Sequence, residues 1–204
     1  WQANARFSKV NSDGFLYRTN SDLYSYYGDL GWYGNKTEVV ARFFGGSEKT
    51  GMGWDGVDYN TAYGINGAAR RYNPAGEYTT TAADGSDSTA YYPNQTDNYA
   101  QQHAQLAINH HFTPQWSLSA TAHYTHGAGY YEQYKRKKLS YWGLPYSHKA
   151  YGMYRKQLDN HFFGGVLAAK YISEPVDLQF GGAANYYLGD HFGTLHYLED
   201  SLII

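Results

Sequence analysis

Apolar and polar residues alternate along most of this chain with a period of two, the pattern of a β-strand with one greasy and one polar face. In WSLSATAHY (116–124), Trp116, Leu118, Ala120, Ala122 and Tyr124 lie on one face and Ser117, Ser119, Thr121 and His123 on the other. Six further segments follow the rule. About 3–10 sets Ala3, Ala5 and Phe7 against Asn4, Arg6 and Ser8, and about 21–33 sets Tyr24, Tyr26, Gly28, Leu30 and Trp32 against Ser25, Tyr27, Asp29 and Gly31. About 37–46 sets Val39, Ala41 and Phe43 against Glu38 and Arg42, and about 98–112 sets Ala104, Leu106, Ile108 and Phe112 against His103, Gln105, Asn109 and His111. About 158–171 is mixed, with Phe163, Leu167, Ala169 and Tyr171 on one face; about 177–188 sets Leu178, Phe180, Gly182, Ala184, Tyr186 and Leu188 against Asp177, Gln179 and Asn185.

The connections sort by length. Gly34-Asn35-Lys36, Thr113-Pro114-Gln115 and Ser173-Glu174-Pro175 are short turns, and they alternate with long loops at about 11–20, 47–97 and 132–157. In an up-and-down sheet alternate connections fall on opposite edges, so the short turns share one edge and the long loops the other. A soluble sandwich has no reason to sort its loops. A transmembrane barrel does: turns are short on the periplasmic side and loops long outside. The expected fold is therefore all-β: an antiparallel up-and-down transmembrane β-barrel segment of about seven strands.

Aromatic positions fit this reading. Trp32, Tyr33, Trp116 and Tyr171 sit at the short-turn ends, and Tyr24, Tyr26, Tyr124, Tyr130 and Tyr131 towards the long-loop ends. Two girdles flanking small apolar residues are expected where strands cross two membrane interfaces. The competing explanation is cross-strand aromatic pairing in a soluble sheet.

Composition narrows the function classes. The 204 residues carry a net charge of -2, no Cys, 24 Tyr and 23 Gly, with mean hydropathy -0.67. Near-neutral charge without a basic stripe gives no reason to expect a nucleic-acid partner. The run Lys135–Lys138 reads as a solvated loop. Lack of Cys excludes a disulfide scaffold and a thiolate zinc site. No apolar run is long enough for a transmembrane helix, and the opening WQANARFSKV lacks the pattern of a signal peptide. No nucleophile elbow, HExxH or phosphate loop is present, so no catalytic residues are assigned and the chain is not expected to be an enzyme.

The stretches FSKVNSDGFLYRTNSDLYSYYGDLGWYG (7–34), FFGGSEKTGMGWDGV (43–57), RRYNPAGEY (70–78), QTDNYAQQHAQL (95–106), HYTHGAGYYEQYK (123–135) and LGDHFG (188–193) resemble, in order, strands and loops of TonB-dependent outer-membrane receptors. The resemblance implies a barrel of about 22 strands around an N-terminal plug. It implies residence in the outer membrane of a Gram-negative bacterium and energised uptake of a scarce nutrient such as a ferric siderophore, cobalamin or a glycan. Its partners would be the lipid bilayer, a small nutrient ligand and the TonB complex, reached through the missing N-terminal part; no resident cofactor is implied. The chain departs from the family in showing no plug, TonB-contacting segment or closing strand. Its end at Ser201-Leu202-Ile203-Ile204 reads as mid-loop. Residues 1–204 are thus expected to be a partial barrel domain within a larger receptor. The alternatives are a small non-transporting barrel serving as adhesin or anchor, and a soluble carbohydrate-binding β-domain.

Candidate ligand contacts lie in the long loops. The 47–97 loop holds Trp54, Tyr59, Tyr63, Arg70, Arg71, Tyr72, Tyr78, Tyr91 and Tyr92. Aromatic faces stack on sugars and siderophore rings, and arginine forks onto carboxylate or hydroxamate oxygens. The alternative role is packing the loop onto its neighbours. Its Thr79–Ser88 stretch is of low complexity and expected to be mobile. His126, Tyr130 and Tyr131 lie where the fifth strand is expected to leave the membrane, beside Gly127 and Gly129, which permit a bend or close backbone approach. His103, His111 and His123 share a polar face but have no metal-site spacing, so they read as hydrogen-bonded lining and no metal is assigned.

Overall fold

The computed structural model describes residues 1–199. The segment read as a mid-loop end, 201–204, lies outside the described residues. Seven long strands form one antiparallel sheet: β1 (Gln2–Ser12), β2 (Ser21–Tyr33), β3 (Thr37–Gly51), β6 (Thr96–His111), β7 (Trp116–Lys138), β8 (Lys149–Ser173) and β9 (Val176–Glu199). Each pairs with its neighbour in chain order, an up-and-down meander. The sheet is open, with β1 and β9 at its edges. A separate hairpin, β4 (Glu77–Thr81) with β5 (Asp87–Tyr91), and a short helix α1 (Tyr59–Tyr63) belong to the β3–β6 loop. No helix among the described residues is long and apolar enough to cross a membrane.

The turns lie at one edge and the long loops at the other. At the turn edge Gly34 N–H donates to the Thr37 carbonyl at 2.8 Å. Thr113 Oγ1 accepts from the N–H groups of Gln115 and Trp116, at 3.2 and 3.0 Å.

Cross-strand partners share a face, so the register shows whether the seven amphipathic patterns coincide. They do. Trp32 pairs with Val39, Val39 with Ile108, Ile108 with Ala120, Ala120 with Leu167 and Leu167 with Gly182. One continuous apolar face results. It runs from Trp32, Trp116, Tyr171 and Leu178 at the turn edge to Tyr26, Phe43, Tyr124, Phe163 and Leu188 towards the loops. No Asp, Glu, Lys or Arg interrupts it between those limits. At about 3.4 Å per residue and a tilt near 40°, Trp116–Tyr124 rises about 21 Å and Leu178–Leu188 about 26 Å, against an apolar barrel band about 25 Å tall. The opposite face carries Asn4, Asp29, Arg42, Gln105, His123 and Asn185. Here Asn4 Nδ2 donates to Asp29 at 3.0 Å and His123 Nε2 meets Asn185 Oδ1 at 2.9 Å.

Within this zone the apolar face is bare: Phe180 is 62% exposed and Leu167 53%. Most of the buried side chains, including Met52, Asn73, Glu132, Tyr134, Leu139 and Tyr154, lie beyond it, at the loop end.

Three expectations change. Strands β7, β8 and β9 run further towards the loops than the alternation indicates, so Lys135–Lys138 close β7 rather than forming a loop. Alternation fails there because loop segments cover both faces of the sheet and aromatics occupy both. Thr79–Ser88, expected to be mobile, contributes to the β4–β5 hairpin; Gly85 takes φ +81° and Asp84 Oδ1 accepts from Ser86 N–H at 2.9 Å, closing the turn. Tyr33, grouped with the girdle, falls on the polar face: period two places it opposite Trp32, and its ring occupies the space a Cβ on Gly31 would fill.

Candidate functional site

Above the apolar zone, on the polar face, lies a cleft of about 850 Å³. Its floor is Tyr99 on β6. Gly129 lies directly across from Tyr99 on β7, and a Cβ there would meet the Tyr99 ring at 2.9 Å; one on Gly127 would meet the Tyr99 hydroxyl at 2.1 Å. The two glycines therefore let the ring lie flat across β7. This is the close approach that His126-Gly127-Ala128-Gly129 permits.

The walls come from β7, β8 and the 139–148 loop. That loop folds back so that Trp142 rests on Gly152, where a Cβ would sit 2.7 Å from the indole. Tyr154 is held edge-on to Tyr141 with ring centres 5.9 Å apart, and its hydroxyl donates to Gln133 Oε1 at 2.7 Å. Burial pushes the Tyr154 phenol well above the usual tyrosine range. Lys156 Nζ lies 5.8 Å from the Tyr131 ring centre and 6.0 Å from that of Tyr141. Hydrogen bonding to those two tyrosines raises its pKa, so the ammonium stays charged. Glu48 and Asp97 line the side towards β3. The indole N–H of Trp142 is buried without a hydrogen-bond partner. An unsatisfied donor costs about 1–3 kcal/mol. Rings, one cation and carboxylates together suit a ligand with flat or sugar-like faces and polar oxygens.

Of the loop residues singled out by sequence, Tyr131 lines this cleft and Trp54 packs against it, edge to face at 5.3 Å. The others do different work. Arg71 Nε donates to the Phe15 carbonyl at 2.7 Å, and its guanidinium covers the Tyr17 ring. Tyr91 lies under Arg18 at 3.9 Å, and Tyr72 donates to Glu77. Asn73, fully buried, donates to the carbonyls of Tyr17 and Met52 at 2.9 and 2.8 Å. These contacts lock the 13–20 loop to the 52–95 loop. Tyr59 pairs only with Tyr63 on exposed α1, and the Arg70 stem covers Gly64.

Tyr92 and Tyr78 pack on the opposite side of β7. The Glu132 carboxylate is buried there. It accepts from the Tyr92 hydroxyl at 2.5 Å, Asn94 Nδ2 at 2.5 Å and Arg155 Nε at 2.7 Å. Burial alone would raise its pKa; the hydrogen bonds from Tyr92, Arg155 and Asn94 outweigh that and hold it below the ordinary glutamate value. The same burial and the Glu132 charge push Tyr92 up to about 12. Tyr78 sits edge-on to Tyr134 at 5.0 Å. Above the end of β6 the exposed edge of β7 is met by Gln95, whose Oε1 accepts from Tyr134 N–H at 3.1 Å. Tyr130 lies under Arg155 at 4.1 Å, and His126 faces Asp159. The Tyr130 ring and the His126 side chain thus point to the far side of the sheet, although Tyr130 also borders the cleft.

Sequence reasoning missed Tyr99, Tyr141, Trp142, Tyr154 and Lys156. The signal for Tyr99 was the Gly-x-Gly spacing; the others become neighbours only through register and loop folding.

Comparison of the chain with protein-family models, curated proteins and solved structures finds no match. The resemblance to TonB-dependent receptors therefore rests on the residues quoted above.

Proposed function

We propose that this sheet is a section of an outer-membrane β-barrel of the TonB-dependent receptor kind, with the aromatic cleft forming part of the vestibule that captures a small nutrient. The observation that carries the reading is the uninterrupted apolar face shared by all seven strands, with short turns at one edge and long loops at the other. A bare apolar face of this height is stable against hydrocarbon, and the polar face then lines a wet interior. Unpaired backbone groups at the edges of β1 and β9 would cost several kcal/mol each in lipid, so further strands complete the barrel. In this frame the cleft opens outward, and its ring faces and Lys156 ammonium suit a siderophore or glycan.

The reading is tested by single cysteines in the intact protein, labelled on whole cells with a membrane-impermeant maleimide. Ser86→Cys and Lys137→Cys should react; Asn35→Cys and Glu174→Cys should react only after lysis. The reverse pattern would overturn the topology. Nutrient uptake that survives collapse of the proton gradient would overturn the energised-transport part.

A further inference from the structure

We propose that His126, Asp159 and His161 form a binding site for a divalent transition-metal ion of the zinc class, on the face of the sheet away from the cleft. Strand register builds it. His126 on β7 lies directly across from His161 on β8, and Asp159, two residues along β8, projects from the same face. One ligand atom from each lies within 4.8 Å of the other two. His126 Nε2 is 2.8 Å from Asp159 Oδ1, and His161 Nε2 is 3.7 Å from the same oxygen. Metal bonds of about 2.0–2.2 Å set donors about 3.4 Å apart in a tetrahedron, so modest side-chain rotation suffices.

Two observations point to a cation rather than an ordinary surface hydrogen bond. First, His161 is oriented for ligation. Its Nδ1 is hydrogen-bonded to the Tyr124 hydroxyl at 2.7 Å, leaving Nε2 directed at Asp159. A hydrogen-bond partner on the far ring nitrogen is the usual accompaniment of a metal-bound histidine. The His126 ring stacks on His161 at 4.7 Å, aligning the two edges. Second, Asp190 on β9 lies directly across from Asp159. Like charges at directly opposed positions destabilise a sheet, and a cation held at Asp159 offsets that repulsion. Two imidazoles and a carboxylate select zinc or copper over magnesium or calcium. The half-exposed side chains leave at least one coordination position for water or an external oxygen ligand. The site lies just beyond Tyr124, the last ring of the apolar face, and it depends on neither uptake nor the cleft.

The test uses the intact protein that carries this sequence, stripped with chelator and titrated with zinc chloride calorimetrically. The expected result is a site of unit stoichiometry, weakened at least tenfold by His161→Gln and by His126→Gln and unchanged by His196→Gln. Copper(II) at one equivalent, followed by electron paramagnetic resonance on the unsubstituted protein, should show two imidazole nitrogens, so the result does not depend on variants folding. Zinc binding equal in all variants, or a copper spectrum without two nitrogens, overturns the site.

Discussion

The two ends of this sheet are built on different principles. Between the turn edge and Tyr124 no protein core covers the apolar face: side chains such as Leu167 and Phe180 stand exposed at 53% and 62%. Beyond it, loops fold onto β7 and β8 and bury Met52, Leu139, Glu132 and Asn73 almost completely. The first region needs a partner medium to hold its apolar face; the second carries its own core. A sheet that leaves its most regular strands uncovered and packs its irregular loops tightly is what a membrane barrel requires, since lipid replaces the core in one zone and only water surrounds the other.

That contrast breaks most sharply under charge. Leu167→Arg, at the middle of the apolar face, should cost about 2–4 kcal/mol of folding stability in lipid vesicles, read by urea titration. Thr121→Arg, at the same level on the polar face, should cost far less. Equal costs would mean that both faces meet the same medium.

In the loop region the hub is Glu132. Glu132→Gln weakens a buried charge-assisted network and should cost about 2 kcal/mol. Limited proteolysis should then cut within 52–95 sooner, with the strands below unaffected. The pH dependence has a definite sign. A carboxyl held below its ordinary value contributes fully above that value and loses the contribution as pH falls through the lowered one, so loop protection should fail on acidification. Tyr92, raised from 10.0 to about 12, acts at the other end: its contribution is present below pH 10 and disappears as pH rises to about 12.

A smaller effect is expected at the glycine pair. Gly129→Val drives a Cβ against the Asn98 carbonyl, 2.3 Å away, and the Tyr99 ring, costing about 1–3 kcal/mol by overpacking, and should displace the cleft floor and lower ligand affinity. The smallest is Tyr131→Leu, which removes one ring from the cleft; ligand binding should weaken by about 0.5–1.5 kcal/mol with little change in stability.

Where one side of a strand is uniformly apolar, alternation reads the structure directly. Leu118, Ala120 and Ala122 locate β7, and Thr113-Pro114-Gln115 locates the turn before it, from local sequence alone. Past residue 131 both sides of β7 are covered by loop segments, so Gln133-Tyr134-Lys135 shows no period and the strand was read as a loop. The cleft was less legible. Tyr99 meets Gly127 and Gly129 across strands, and Trp142 meets Gly152 through a folded loop, contacts that no spacing encodes. Tyr92 and Tyr91 have the composition of ligand contacts, yet Glu132 and Arg18 engage them in holding the loop. The histidines considered from sequence, His103, His111 and His123, shared a face by parity; His126 and His161 came together through the pairing register.

The central claim is that one face of the sheet meets lipid. Because the chain contains no native Cys, spin labels can be placed singly along residues 116–124 of the membrane-inserted protein, and their collision with oxygen compared with that of a water-soluble nickel chelate. The account predicts that labels at Leu118, Ala120 and Ala122 collide mainly with oxygen and those at Ser117, Ser119 and Thr121 mainly with the chelate. Chelate access that is high and equal at all six positions would contradict it.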